Sequence, residues 1–132
     1  MSNIAKHILV VDDDPDIRSM IKMILEYHGY TVTAVERAQE AEQELNTGKY
    51  AMAIMDMLLS GMNGTDICRK YKNDKSVKQV PIVMISAHPN AKTLCLNAGA
   101  DYFVAKPFDM EHLLSVIDYM TNTGGAKAQV AG

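Results

Sequence analysis

His7-Ile-Leu-Val-Val-Asp-Asp-Asp-Pro15 decides the fold. Ile8 to Val11 is continuously apolar, as in a strand covered on both faces. Asp14 followed by Pro15 reads as a helix N-cap with proline in the first turn, and Ile17, Met20, Ile21, Ile24 and Leu25 follow at helical spacing until Gly29. A buried strand that runs through three acids into an amphipathic helix is the opening unit of a parallel sheet wrapped by helices.

The alternation repeats outward from there. Tyr30 to Val35 reads as a shorter second strand, followed by a mostly solvated helix with Ala38, Ala41 and Leu45 before Gly48. Tyr50 to Met55 is the expected third strand; it runs into Asp56 and a loop holding Gly61 and Gly64, with a third helix from Thr65 to Tyr71. Val80 to Ser86 is the fourth strand, with Pro81 at its start, where a missing N–H matters least. His88-Pro-Asn90 breaks the chain, and Asn90 is the expected cap of a short fourth helix ending at Gly99. Tyr102 to Ala105 is the fifth strand, and Asp109 the expected cap of a last helix striped by Met110, Leu113, Leu114, Ile117 and Met120. This is an α/β domain over residues 1–122, with 123–132 read as a flexible Gly/Ala-rich tail or an appended remnant.

Composition limits the function. The chain has 132 residues, 48% hydrophobic and 22% charged, enough for one core without a disulfide framework or structural metal. Thirteen basic against sixteen acidic residues leave a net charge of -3 with no basic cluster, so no direct nucleic-acid partner is expected. Cys68 and Cys95 stand far apart without a C-x-x-C spacing, which fits free thiols in a reducing compartment, and a cytoplasmic location is expected. No apolar run approaches the length of a membrane span, and no membrane partner is expected. The histidines share no zinc-ligand spacing. Met20, Met84, Met110 and Met120 are expected in the core, and Glu36 to Glu44 as a solvated helix face.

Ligands of open parallel sheets bind beyond the carboxyl ends of the strands. Those ends carry Asp12-Asp13-Asp14, Asp56, Ser86 and Lys106-Pro107. A single carboxylate in such a place usually caps a helix, and capping is the expected task of Asp14. Together the residues have complementary chemistry. Clustered carboxylates repel one another unless a cation offsets them, and Mg²⁺ suits a pocket supplying one or two carboxylates beside phosphate. With the charge screened by a metal and Lys106, Asp56 could attack a phosphoryl group as a nucleophile, and Ser86 could donate a hydrogen bond to the new oxygens.

In these residues the chain resembles a receiver domain of bacterial two-component response regulators, from Lys6 to about Thr121. The stretches that carry the resemblance are Ile8 to Pro15, Met55-Asp-Met-Leu-Leu-Ser-Gly-Met-Asn-Gly64, Pro81-Ile-Val-Met-Ile-Ser-Ala87 and Gly99-Ala-Asp-Tyr-Phe-Val-Ala-Lys-Pro-Phe108. The resemblance implies a flavodoxin-like (βα)5 sandwich with a five-stranded parallel sheet in the order 2-1-3-4-5, the first and fifth helices on one face. It implies that Asp56 is phosphorylated by a sensor histidine kinase or a histidine phosphotransfer protein. It also implies that Asp13, Asp56 and the backbone carbonyl of Leu58 ligate Mg²⁺, with Asp12 acting mostly through bound water. Ser86 takes the place of the switching hydroxyl, Lys106 that of the salt-bridging lysine, and the Lys106-Pro107 bond is expected to be cis. Phe103 holds the aromatic switch position, and Leu58 and His88 the positions that tune phosphoryl lifetime.

Three places stand out against the commonest pattern: Ser60 stands where proline is usual, Phe103 has no hydroxyl to bond when buried, and Leu58 and His88 hold the positions two beyond the phosphoacceptor and two beyond the hydroxyl. Phosphorylation would reshape the surface of the fourth helix, fifth strand and fifth helix, and output would pass to a separate protein target, to a homodimer or to an effector domain elsewhere. An enzyme is not expected beyond self-catalysed phosphoryl transfer and slow autodephosphorylation. The rivals are a small phosphohydrolase with Asp12 as nucleophile, for which the chain has little room, and a binding module of the same fold that signals without phosphate.

Overall fold

The computed structural model describes residues 6–59, 62–76 and 79–123. Strand β1 (His7–Val11) leads into α1 (Pro15–Tyr27), which Asp14 caps as expected: its Oδ1 accepts the N–H groups of Asp16 at 2.9 Å and Ile17 at 3.3 Å. Gly29, at φ +93°, turns the chain into β2 (Thr31–Val35), a conformation that glycine adopts without strain. There follow α2 (Ala38–Leu45), β3 (Met52–Asp56), α3 (Gly64–Asn73), β4 (Ile82–Ser86), α4 (Ala91–Asn97), β5 (Tyr102–Ala105) and α5 (Met110–Thr123).

The five long strands pair in parallel in the order β2-β1-β3-β4-β5, the flavodoxin-like arrangement. Side chains alternate across the sheet with period two and divide the core. Ile8, Val10, Ile54, Val83 and Ile85 meet α1 through Ile21 and Leu25, and α5 through Leu113 and Ile117. Leu9, Val11, Met55 and Met84 meet α2, α3 and α4 on the other face, through Leu45, Ile67 and Cys95. The first and fifth helices therefore share one face, as the resemblance implied.

Several local expectations shift. The third strand starts at Met52 rather than Tyr50, because Tyr50 packs edge-on against His7 (ring centroids 4.7 Å apart) ahead of the ladder. The fourth starts at Ile82 rather than Val80, because the Val80 N–H bonds the Tyr71 hydroxyl at 2.8 Å instead of a neighbouring strand. Asn90 makes no capping bond with its side chain; its backbone, at φ -105° and ψ 16°, lacks the extended form that aims a side chain at the following turn. Asp109 does accept the Glu111 N–H at 3.0 Å. Met84 and Met120 are fully buried and Met110 packs against the core, but Met20 is 36% exposed. It borders a groove of about 320 Å³ with Ile17, Ala87, Pro107 and Phe108 instead of filling the interior.

The loop after β3 holds a short antiparallel ladder, Leu58–Leu59 with Met62–Asn63, that the apolar pattern did not foretell. Ser60 and Gly61, and the tail from residue 124 onward, lie outside the described residues. Helix α5 reaches Thr123, one residue past the expected boundary.

Candidate functional site

Four strand ends build the site. Asp12 continues β1 by donating its N–H to Val35 O at 3.2 Å, so the chain stays in the sheet until the first acid. Asp56 is the last residue of β3, and Met57 donates to Ile85 O at 2.9 Å, which keeps the exit of β3 against β4. Lys106 follows β5 and donates its backbone N–H to Ser86 O at 2.9 Å. The Lys106-Pro107 peptide bond is cis.

The loop beyond Asp56 is folded tightly onto the strand end. Gly64 N–H donates to Met57 O at 2.6 Å, and a Cβ at Gly64 would lie 2.3 Å from Asp56 O. Only glycine permits that approach. Leu58 N–H reaches back to Asp56 Oδ1 at 3.4 Å, while the Leu58 side chain is exposed.

Carboxylate oxygens of Asp12, Asp13 and Asp56 lie within 4.8 Å of one another. Asp12 is fully buried, Asp56 is buried and Asp13 is half-buried. Lys106 Nζ bridges the two buried acids, 3.2 Å from Asp12 Oδ2 and 3.2 Å from Asp56 Oδ2. Burial first, and then the Asp12 charge, push the Asp56 carboxyl above the usual carboxylate range, with Lys106 opposing the rise. Burial works against the Lys106 charge, but Asp12 and Asp56 outweigh it and hold its pKa above that of an ordinary lysine.

Ser86 Oγ is buried at the end of β4 and accepts the His88 N–H at 3.0 Å. A hydroxyl that accepts an amide still has its own proton to donate. Phe103 is half-buried and packs against the α4 side of the core. In the register Met84 pairs with Phe103 and Ser86 with Ala105, which puts Ser86 and Phe103 on the same face, one diagonal apart. His88 is exposed on the rim, and its Nδ1 accepts the Asn90 N–H at 3.1 Å.

The sequence-based set thus gathers Asp12, Asp13, Asp56 and Lys106 in one pocket, with Ser86 at the neighbouring strand end and Phe103 and His88 farther out. Two residues it did not include stand beside them. Gly64 fixes the loop as described, and Arg18 Nη1 donates to Asp12 O at 2.8 Å. In the sequence Gly64 read as one of two loop glycines, and nothing singled out Arg18.

Hard oxygen donors so close together fit a divalent cation such as Mg²⁺, and a buried acid pair already held by an ammonium shows that the pocket needs positive charge. The strand order and a carboxyl-edge pocket of acids place the molecule among flavodoxin-like α/β proteins that bind at the switch point of the sheet. Within that class the chain belongs to the response regulator receiver domain family, whose pattern matches residues 8–118.

Individual relatives agree. The phosphate regulon transcriptional regulatory protein PhoB of Pseudomonas aeruginosa is 32% identical over 132 residues, covering 96% of this chain and 58% of that protein. This chain spans about half the length of the curated relatives it matches, for example 58% of one and 44% of another. Among solved structures, a CheY-like response regulator receiver domain protein from Methanospirillum hungatei superposes with a TM-score of 0.83 at 29% identity, covering 92% of this chain and 97% of the other. The receiver domain of the Pseudomonas aeruginosa sensor histidine kinase PA1611, with a magnesium ion coordinated in its active-site cleft, gives a TM-score of 0.82 at 26% identity, covering 90% and 99%.

Proposed function

We propose that this receiver domain is a phosphorylation-operated switch in which Asp56 accepts a phosphoryl group from a phosphohistidine on a sensor histidine kinase or a histidine phosphotransfer protein. An Asp56 Oδ attacks phosphorus, the donor's N–P bond breaks, and the phosphoryl leaves on Asp56 as a mixed anhydride. The observation that carries this reading is the Lys106 ammonium held between Asp12 and Asp56 at the carboxyl edge of the sheet. It sits where negative charge develops and needs no rearrangement to screen it. Asp12 is 0% exposed and Asp56 8%, with Asp12 Oδ1 already bonded to the Asp14 N–H at 2.9 Å. Asp56 is thus the better-placed nucleophile, which disfavours a phosphohydrolase acting through Asp12.

Asp13, Asp56 and the Leu58 carbonyl would hold Mg²⁺, with Asp12 acting through water; bound there, the ion supplies charge neutralisation to the phosphoryl oxygens. Leu58, two residues past the acceptor, and His88, two past Ser86, would tune access of water to the acyl phosphate. The phosphoryl group of the aspartyl-phosphate carries about two negative charges in place of the carboxylate's one, so the Ser86 hydroxyl donates a hydrogen bond to one new oxygen and Lys106 pairs with another. Movement of Ser86 opens space on the face it shares with Phe103, and the ring turns inward. The surface of α4, β5 and α5 then changes for a protein target or a second copy of the chain. A cytoplasmic setting is part of this reading, consistent with the receiver family, and among the described residues no helix is long and apolar enough to cross a membrane.

The test uses beryllium fluoride with Mg²⁺ as the phosphoryl mimic, read by amide chemical shifts. Wild type should shift at Ser86, Phe103 and α4. Ser86→Ala should keep the shifts around Asp56 and lose those at Phe103. Equal Phe103 shifts in both proteins would contradict the switch, and no shift in wild type would contradict phosphoryl binding itself.

A further inference from the structure

Arg18 lies one turn into α1, yet its side chain folds back over the helix cap. Its backbone N–H donates to Asp14 O at 3.0 Å, and Nη1 donates to Asp12 O at 2.8 Å. Asp12 is the fully buried acid of the cluster, and each of its polar groups has an assigned partner. The N–H goes to Val35 O at 3.2 Å, Oδ1 to the Asp14 N–H at 2.9 Å, Oδ2 to Lys106 at 3.2 Å, and the carbonyl to Arg18. That carbonyl belongs to the Asp12–Asp13 peptide. Because the peptide is a rigid plane, fixing its oxygen fixes the direction in which Asp13 leaves it.

We infer that Arg18 is a positioning residue for divalent-cation binding: its grip on the Asp12–Asp13 peptide keeps the Asp13 carboxylate within reach of Asp56. This rests on the phosphoacceptor reading above and adds a residue that touches neither metal nor phosphoryl. Outer partners of metal ligands act by removing freedom the ligands would otherwise lose on binding. The guanidinium also has an opposite influence, since a fixed positive charge near the pocket disfavours a second cation. The two influences predict opposite signs for loss of Arg18, so one measurement separates them.

Mg²⁺ is titrated into wild type, Arg18→Ala and Arg18→Lys, followed by amide shifts, and the Mg²⁺ dependence of acetyl phosphate labelling is read in parallel by intact mass. Arg18→Ala should bind Mg²⁺ about tenfold more weakly, and its labelling deficit should narrow as Mg²⁺ is raised. Arg18→Lys keeps the charge and a donor on a similar stem, and should lose about threefold; it carries the test if the alanine variant does not fold. Wild-type affinity in the variants overturns the inference even if their melting temperatures fall, because that is a structural role alone. Tighter binding by Arg18→Ala overturns it too, leaving only charge repulsion. A wild type that takes up no Mg²⁺ removes the functional reading together with this one, whereas a wild type that binds and variants that match it remove this one alone.

Discussion

The Lys106 ammonium stands 3.2 Å from the Asp56 carboxylate, each side chain carried by the end of its own strand. It stands equally close to Asp12, so Lys106 neutralises part of a pocket that would otherwise hold adjacent buried anions. Replacing it with methionine leaves those anions unscreened. Lys106→Met should lower stability by about 1–3 kcal/mol at neutral pH without Mg²⁺, and by less when Mg²⁺ is added. Urea melts with and without the ion check both statements.

Gly64 is required by its neighbours more than by its own torsion angles. A methyl group there would meet Asp56 O at 2.3 Å and Met57 O at 3.2 Å, both of them backbone atoms that cannot swing aside. Gly64→Ala should destabilise the fold by about 3 kcal/mol and displace the loop that carries Leu58. Urea unfolding reads the first, and amide shifts of Asp56 and Leu58 the second.

Behind the sheet, Lys72 Nζ pairs with Asp101 Oδ2 at 2.8 Å, and the same oxygen accepts the Ile82 N–H at 2.8 Å, tying α3 to the start of β4. Asp101→Ala removes the acceptor of the Ile82 N–H and leaves the Lys72 ammonium with the Val80 carbonyl at 3.1 Å as its remaining acceptor. A loss of about 3 kcal/mol is expected, and Asp101→Asn should recover part of it because an amide oxygen still accepts from Ile82. Melting curves of the two variants decide the order.

At the opposite edge of the sheet from the acids, His7 Nε2 meets Thr33 Oγ1 at 2.7 Å, and its ring lies against Tyr50. Burial, then Lys49, lower the His7 pKa below the usual histidine value, with Glu44 opposing. The unfolded chain therefore takes up the proton first as pH falls. His7 contributes fully above its unfolded pKa near 6.5, and that contribution is lost as pH drops from there through the lower folded value. His7→Gln should melt with a flatter pH dependence between about pH 7.5 and 5; identical slopes would contradict the assignment.

The pocket was legible because four of the five strands end in or beside a chemically distinctive residue, Asp12, Asp56, Ser86 and Lys106, and the strand order followed from the resemblance that the stretches around these residues carry. Ile and Val runs located β1 and β4, and Asp14-Pro15 located the start of α1. What escaped was set by individual contacts that follow no periodic pattern. Val80 is apolar and buried, yet its amide goes to the Tyr71 hydroxyl, so periodicity overextended β4. Met20 follows the helical stripe of α1, but the residues after β5 leave it beside an open groove. Arg18 and Gly64 matter through one hydrogen bond and one close backbone approach, neither of which leaves a pattern in the sequence.

The most direct measurement is intact mass after incubation with acetyl phosphate and Mg²⁺, on wild type and Asp56→Asn. The account predicts one added phosphoryl group on wild type, none on Asp56→Asn, and loss of the adduct when the ion is chelated before labelling. An unmodified wild type, or an adduct of equal yield on Asp56→Asn, would contradict it.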